Sequence, residues 1–296
     1  MKHNPTADGE LPEQSESRKK DHIEMAFQSL QEVRDMDNRF YYEPMLSSHP
    51  SEDYKWEPFS FAGKQLKVPI WVSSMTGGTQ MAEVINRNLC RACAEFGMGF
   101  GLGSCRSLLE GNYRRINDFD FREVIGPDLP FYANLGIAQV QKIAEQKEWY
   151  RVEELIGKLR ADGLIIHVNP MQEALQPEGD RFKVPPLDTI QSALGMTGLR
   201  IIVKEVGQGF GKNSMKTLMK LPLQSIEFGA HGGTNFSKLE LLRSDEQKMK
   251  IFAPLAGVGH TAEEMTGFVN DLKSELGGEC KVKEFIVSGG VKNYLD

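Results

Sequence analysis

The chain has no long apolar run. None of its 296 residues lies in an uninterrupted apolar stretch approaching the length of a transmembrane helix, which is about 18 residues. The N-terminal segment is polar and lacks the apolar core of a secretory signal. These absences predict a cytoplasmic protein with no membrane partner.

Cysteines are few, and acidic residues outnumber basic ones. Four cysteines in a chain without a secretory signal predict reduced thiols rather than a disulfide framework. Cys90 and Cys93 have CxxC spacing, but no second pair accompanies them, which argues against zinc. The net charge of −6 argues against a nucleic-acid partner. An anionic small molecule would therefore need a local group of cations.

Short apolar runs alternate with helical stretches along most of the chain. They cover residues 69–74, 98–103, 131–136, 163–169, 200–207, 225–230 and 284–290. Continuous apolar strands separated by helices predict a parallel sheet that is covered on its faces. Seven such units, without a Gly-x-Gly-x-x-Gly after the first run, favour a (β/α)8 TIM barrel over an open doubly wound sheet.

The count of strands leaves one question open. Residues 251–256 either form a further strand or belong to a long connection. We expect the connection, with the eighth strand missing at the C-terminal end.

Three parts are predicted along the chain: a flexible N-terminus over 1–17, an arm over 18–60 and the barrel over 61–296. Apolar residues at helical spacing predict a helix over 18–35. They are Ile23, Ala26, Phe27, Leu30 and Val33. Phe59 and Phe61, followed by a glycine, predict a hairpin that leads into the barrel.

Polar residues follow the predicted strands, where barrel enzymes place their catalytic groups. The fourth repeat is the richest, because alternation puts His167 and Asn169 on one face and Gln172 and Glu173 follow. Histidine and asparagine can donate hydrogen bonds to phosphate oxygens, and glutamate can hold Mg²⁺. The alternative is a structural histidine at a strand end.

A lysine and several glycine pairs add to this set. Lys204 lies inside an apolar strand, so it is either paired with a neighbour such as Glu205 or directed at an anion. The glycine pairs at 77–78, 232–233 and 289–290 expose backbone N–H groups that can cradle a phosphate or a flat ring. Cations at 18–22 contribute only if the arm folds over the mouth of the barrel.

Together these segments resemble the type 2 isopentenyl diphosphate isomerases, an FMN-dependent barrel family. The resemblance runs from Arg18 to about Gly290. It rests on RKKDH (18–22), MTGGT (75–79), GLGSCR (101–106), ANLG (133–136), HVNPMQE (167–173), VKEVGQG (203–209), HGGTNFSKLE (231–240) and VSGG (287–290). The chain departs from the family pattern at Glu227 and His231, where an aspartate and a small residue are expected.

The resemblance implies an enzyme of isoprenoid biosynthesis that interconverts isopentenyl and dimethylallyl diphosphate. It implies Mg²⁺, reduced FMN, NADPH as the reductant and a homo-oligomer, either a tetramer or an octamer. The implied substrate contacts are Arg18, Lys19, His22, Arg106, His167, Asn169 and Gln172. The implied FMN contacts are Ser74, Met75, Thr76, Ser104, Asn134, Lys204, Thr234, Gly289 and Gly290. Glu173 is the implied Mg²⁺ ligand, and Gln172 and Glu240 are candidate catalytic proton carriers.

Two other functions compete with this interpretation. One is an FMN-dependent oxidoreductase acting on a 2-hydroxy acid, which would use a histidine base and an arginine clamp. The other is a flavin-binding protein without turnover. The oxidoreductase would not need Mg²⁺ or the basic arm.

Overall fold

The computed structural model describes residues 12–46, 48–55 and 57–296. The chain divides between Tyr54 and Lys55 into two compact units. The division falls before residue 60, so the last residues of the predicted arm belong with the barrel.

The first unit contains helix α1 (Pro12–Met25) and a 3-10 turn at Val33–Asp35. The predicted helix over 18–35 is therefore wrong in extent, because α1 ends at Met25. Phe27 and Leu30, which were expected on its buried face, are 86% and 75% exposed. A helix gains most of its stability from burying an apolar face, and this stripe is not buried. Of the predicted flexible stretch 1–17, residues 1–11 lie outside the described residues and 12–17 are helical.

The second unit begins with the hairpin that the sequence predicts. Strands β1 (Phe59–Phe61) and β2 (Lys64–Leu66) pair antiparallel. Ala62 and Gly63 connect them with φ of 53° and 75°. Two successive residues with positive φ are typical of the tight hairpin turn whose twist matches that of the strands.

Seven parallel strands form the main sheet of the described chain. They are β3 (Trp71–Val72), β4 (Gly99–Gly101), β5 (Phe131–Gly136), β6 (Gly163–His167), β7 (Ile201–Lys204), β8 (Ser225–Glu227) and β9 (Glu284–Ile286). Their spatial order follows their order in the sequence. Because the strand order never reverses, each helical crossover leads to the next strand in the same direction around the sheet, and the sheet curves toward closure. This arrangement confirms the barrel prediction.

Helices alternate with these strands. They are α2 (Gln80–Phe96), α3 (Arg106–Leu109), α4 (Arg122–Ile125), α5 (Ile137–Gln146), α6 (Trp149–Leu159), α7 (Pro170–Leu175), α8 (Pro186–Met196), α9 (Lys212–Met219), α10 (Phe236–Leu242), α11 (Glu246–Phe252) and α12 (Ala262–Leu276). Residues 251–256 lie at the end of α11 and in the 3-10 helix Ala253–Gly257, so they form a connection rather than a strand. No helix in the described ranges combines the length and apolar character of a membrane span.

The hairpin packs against the amino ends of the barrel strands. The ring of Trp71 lies 5.4 Å from that of Phe61 and 5.9 Å from that of Tyr132. Arg200, which precedes β7, donates to the Ala62 carbonyl at 2.9 Å. This end is therefore filled by protein, and the opposite end, where the strands finish, is left for a site.

Candidate functional site

Four residues lie at one level where the central strands end. The register pairs Gly136 with His167, His167 with Lys204, and Lys204 with Glu227. Paired residues of neighbouring parallel strands project to the same face, so the row shares one face of the sheet. The sequence indicated His167 and Lys204 as site residues. Glu227 stood out only as a departure from the family pattern, yet it is fully buried here.

The His167 ring is held by the neighbouring strand. Its Nδ1 lies 2.7 Å from Asn134 Oδ1, and Asn134 Nδ2 donates to the Leu102 carbonyl at 3.0 Å. Burial, followed by the nearby charge of Lys204, lowers the pKa of His167 to about 3. The imidazole is therefore neutral near pH 7.

The turn into α7 assembles a polar cluster. Asn169 Nδ2 donates to Gln172 Oε1 at 3.0 Å and to Glu173 Oε1 at 3.1 Å. Glu173 Oε2 accepts the backbone N–H of Asp180 at 2.7 Å. Both oxygens of Glu173 are thus oriented by the protein, while the buried Oδ1 of Asn169 has no protein partner. The structure brings these predicted residues together.

Gln172 also reaches across to α10. Its Nε2 donates to Glu240 Oε1 at 3.2 Å, and Arg243 Nη1 donates to Glu240 Oε2 at 2.5 Å. Glu240 is buried, whereas Arg243 is half exposed. The two candidate proton carriers are therefore in direct contact, and their catalytic role stays a prediction.

Lys204 is not neutralised by the Glu205 carboxylate. Its Nζ donates to the Glu205 backbone carbonyl at 2.8 Å. The Glu205 side chain turns the other way, where Oε2 accepts four backbone N–H groups at 2.5 to 2.9 Å. The donors are those of Val206, Gly207, Gln208 and Gly209. Lys204 is thus hydrogen-bonded to the backbone of its neighbour but forms no ion pair with the neighbour's carboxylate. The Lys204 ammonium group can therefore interact with an anion.

The Glu205 turn was missed by sequence reasoning. Burial raises the pKa of Glu205, and the four N–H donors oppose that rise. Gly207 and Gly209 have φ of 126° and 71°, which let the chain wrap around the carboxylate. A glutamate followed by glycines at these alternate positions was the available signal.

The two late glycine loops converge. A Cβ atom on Gly232 would lie 3.1 Å from the Gly290 Cα, and one on Gly233 would lie 3.4 Å from the Gly290 N. Ser288 Oγ lies 3.3 Å from Glu227 Oε1. The loops after β8 and β9 therefore form one continuous backbone surface, as their late position in the barrel predicts for an anion cradle.

The other predicted cofactor residues differ in their surroundings. Ser74 Oγ is buried without a protein partner, whereas Met75 and Ser104 are exposed. A Cβ on Gly103 would lie 2.3 Å from the Thr76 carbonyl oxygen, so Thr76 sits directly against the loop after β4. Thr234 follows the glycine pair of the β8 loop.

Buried polar atoms without partners surround the carboxyl ends of the strands. They are Ser74 Oγ, Asn169 Oδ1, Glu227 Oε2 and His231 Nδ1. Such atoms are costly unless a ligand or water bonds to them. With the paired glycine loops, they fit a ligand that carries both a polar ring and a phosphate.

A metal would need oxygens from a ligand at this site. Within the described ranges, no cluster of three or more His, Cys, Asp or Glu side chains could hold a metal. Mg²⁺ is commonly bound by one or two carboxylates together with substrate phosphates. A site with Glu173 as its single carboxylate fits that manner of binding.

Arg106 lies at the start of α3. Its Nε donates to Glu110 Oε1 at 2.8 Å, and its Nη1 lies 4.0 Å from Asp180 Oδ2. The charge of Glu173 is also close enough to raise the pKa of Arg106, although the Glu110 hydrogen bond is the larger cause. Arg106 is therefore near the Glu173 cluster, and its contact with a substrate stays a prediction.

The basic residues of the arm belong to the first unit. Arg18, Lys19 and His22 lie on α1, and their side chains are exposed. Their contribution to substrate binding stays a prediction.

Comparison with known proteins identifies relatives for nearly the whole chain. No family model matches it. An isopentenyl-diphosphate delta-isomerase of Rickettsia akari is 31% identical over 293 residues, which is 95% of this chain and 79% of that protein. The enzyme of that name from Rickettsia felis is 30% identical over 292 residues, which is 94% of this chain and 78% of that protein.

The match to a protein of Rickettsia typhi has a higher identity over a shorter stretch. That isopentenyl-diphosphate delta-isomerase is 33% identical over 238 residues, which is 80% of this chain and 66% of the relative's length. Among solved structures, a mandelate oxidase mutant with a monooxide FMN adduct matches with a TM-score of 0.44 and 11% identity. That match covers 79% of this chain and 62% of the other.

Proposed function

Because the chain belongs to the isopentenyl-diphosphate delta-isomerase family, we propose that it interconverts isopentenyl and dimethylallyl diphosphate in isoprenoid biosynthesis. We further propose that it works in the cytoplasm as a homo-oligomer, either a tetramer or an octamer. One observation carries the proposal for this chain. The Asn169–Gln172–Glu173 cluster and the buried Lys204 lie at the same end of one barrel.

Charge balance at the site supports a diphosphate substrate. A diphosphate carries roughly three negative charges near neutral pH, so it needs cations at close range. Arg106 lies beside the Glu173 cluster, and Mg²⁺ on Glu173 would supply further positive charge.

The residues of this chain fit FMN at the same end of the barrel. The proposed contacts are Ser74, Met75, Thr76, Ser104, Asn134, Lys204, Thr234, Gly289 and Gly290. The partnerless Ser74 Oγ and the converging glycine loops support a ring with a phosphate tail. Reduced FMN, with NADPH as the reductant, would supply electron density and an acidic proton next to the alkene. Lys204 would stabilise negative charge on the ring.

The protein's part in moving the proton falls to Gln172 and Glu240. The Gln172 amide is fixed at both ends, since its oxygen accepts from Asn169 and its nitrogen donates to Glu240. Glu240 is buried and accepts from Arg243, which reaches toward solvent. This chain of hydrogen bonds can orient or exchange a proton at the substrate.

Turnover by the full chain tests the proposal. Purified protein is incubated anaerobically with FMN, Mg²⁺, NADPH and ¹³C-labelled isopentenyl diphosphate, and products are followed by NMR. We expect dimethylallyl diphosphate to form only when the flavin is reduced. Glu240→Gln should slow turnover by at least tenfold, whereas the exposed Glu275→Gln should not change it.

Other outcomes distinguish the alternatives. Tight FMN binding without isomerisation would favour a flavin-binding protein without turnover. Bleaching of oxidised flavin by a 2-hydroxy acid would favour the oxidoreductase. Light scattering on the same sample checks the oligomeric state.

A further inference from the structure

The amide of Asn134 can take only one orientation. The side chain is buried, and one of its two terminal atoms lies 3.0 Å from the Leu102 carbonyl oxygen. A carbonyl oxygen only accepts hydrogen bonds, so the atom facing it must be the NH₂ group. The Asn134 oxygen therefore faces His167 Nδ1, at 2.7 Å.

This orientation determines the tautomer of His167. An amide oxygen accepts and cannot donate, so the proton of the contact belongs to His167 Nδ1. A neutral imidazole has a single N–H, which leaves a lone pair on Nε2. Burial and the adjacent Lys204 favour the neutral ring, in agreement with this assignment.

The Nε2 edge of the ring lies beside Gly136 of the neighbouring strand. A Cβ atom on Gly136 would lie 2.4 Å from Gln139 Oε1 and 2.9 Å from His167 Nε2, so the absence of a side chain there leaves room for both groups. Among the residues that the structure describes, His167 makes its side-chain hydrogen bond through Nδ1. The side chain is half-buried, so Nε2 is an acceptor to which the described protein groups donate no hydrogen bond.

We propose that Asn134, besides the contact with FMN proposed for it above, positions His167 by holding it as the Nδ1–H tautomer, so that Nε2 accepts a hydrogen bond from a hydroxyl or N–H group of the bound cofactor. The proposal rests on the proposed function, because it names the ligand of the same site. Isopentenyl diphosphate has no hydroxyl or N–H on its carbon chain, whereas FMN has ribityl hydroxyls and a ring N–H. His167 would therefore contact FMN, which departs from the sequence-based expectation that it donates to the diphosphate.

Nitrogen NMR on ¹⁵N-histidine-labelled full-length protein tests the tautomer directly. His167→Gln assigns the signals of this ring among the six histidines. We expect a protonated Nδ1 and an unprotonated Nε2 without any ligand. Addition of FMN should move the Nε2 resonance upfield, as for an accepted hydrogen bond, while Mg²⁺ with pyrophosphate leaves the ring neutral. An Nε2–H tautomer, or an imidazolium formed on adding pyrophosphate, would overturn the proposal.

A variant pair adds a second readout. Asn134→Asp places a carboxylate at Nδ1, favours the imidazolium and turns Nε2 into a donor. We expect FMN to bind at least tenfold more weakly to this variant. The same change at the exposed Asn213 is the control and should leave the His167 signals and the FMN affinity unchanged. Equal FMN affinity of Asn134→Asp and wild type would contradict the proposal. The tautomer result is independent of turnover, so failure of the isomerase assay remains distinguishable.

Discussion

Asn169 Nδ2 donates a hydrogen bond to Glu173 Oε1 at a distance of 3.1 Å. The other oxygen of that carboxylate accepts from the Asp180 backbone, so the side chain is held before any ligand arrives. A preorganised carboxylate loses little conformational entropy when it binds a cation.

Glu173→Gln should therefore impair Mg²⁺ binding. An amide of the same shape keeps the fold but removes the negative charge that a hard cation needs. We expect the Mg²⁺ concentration for half-maximal isomerase activity to rise at least tenfold, while FMN titration is unaffected. Glu178→Gln makes the same change at an exposed position of the following segment. An unaltered Mg²⁺ requirement in Glu173→Gln would remove this residue as the ligand.

Gly232→Ala should weaken binding of the FMN phosphate. Gly232 has φ of 125°, and its Cβ would approach the backbone of the Gly290 loop. We expect fluorescence titration to show at least tenfold weaker binding of FMN but little change for riboflavin, which lacks the phosphate. Gly267→Ala, where a Cβ would meet open space, is the control. Equal losses for FMN and riboflavin would place the phosphate elsewhere.

Glu205→Gln should destabilise the fold. The carboxylate accepts four backbone N–H groups through one oxygen. Hydrogen bonds to a charged group contribute about 1.5–3 kcal/mol. We expect a loss of about that size in the free energy of unfolding in urea. Glu279→Gln removes an exposed ion pair with Lys220 and should change the stability much less, because solvent screens such pairs. Equal stability of the two variants would contradict the structural role of this turn.

His167 should make the fold less stable in mild acid. Its pKa is lowered to about 3 in the folded protein, compared with about 6.5 when unfolded. Between these values the unfolded chain takes up a proton that the folded chain refuses, so stability falls as the pH falls. From pH 7 to pH 5 the expected loss is about 1–2 kcal/mol.

Paired denaturation curves isolate this contribution. The stability difference between wild type and His167→Gln should change by that amount between pH 7 and pH 5, because other titrating groups are common to both proteins. A constant difference for His167→Gln would mean that folding does not lower the pKa of the ring.

Sequence patterns predicted the barrel because its strands are continuous apolar runs separated by amphipathic helices. The hairpin turn at Ala62 and Gly63 was readable for a similar local reason. The helix predicted over 18–35 failed in extent because apolar spacing alone cannot say whether a face is buried. The role of residues 251–256 was likewise ambiguous, since short apolar runs suit either a strand or a helix.

The amino-acid sequence by itself determined the order of the strands, the polar residues that end them and the glycines that let loops approach a ligand. These are local properties of spacing and side-chain chemistry. Only the tertiary structure decided which polar groups meet. The contact of Gln172 with Glu240 and the orientation of Asn134 toward His167 depend on register and crossing between elements distant in the chain. A hydrogen bond needs its partners within about 3 Å, and only packing of the whole barrel sets distances to that precision.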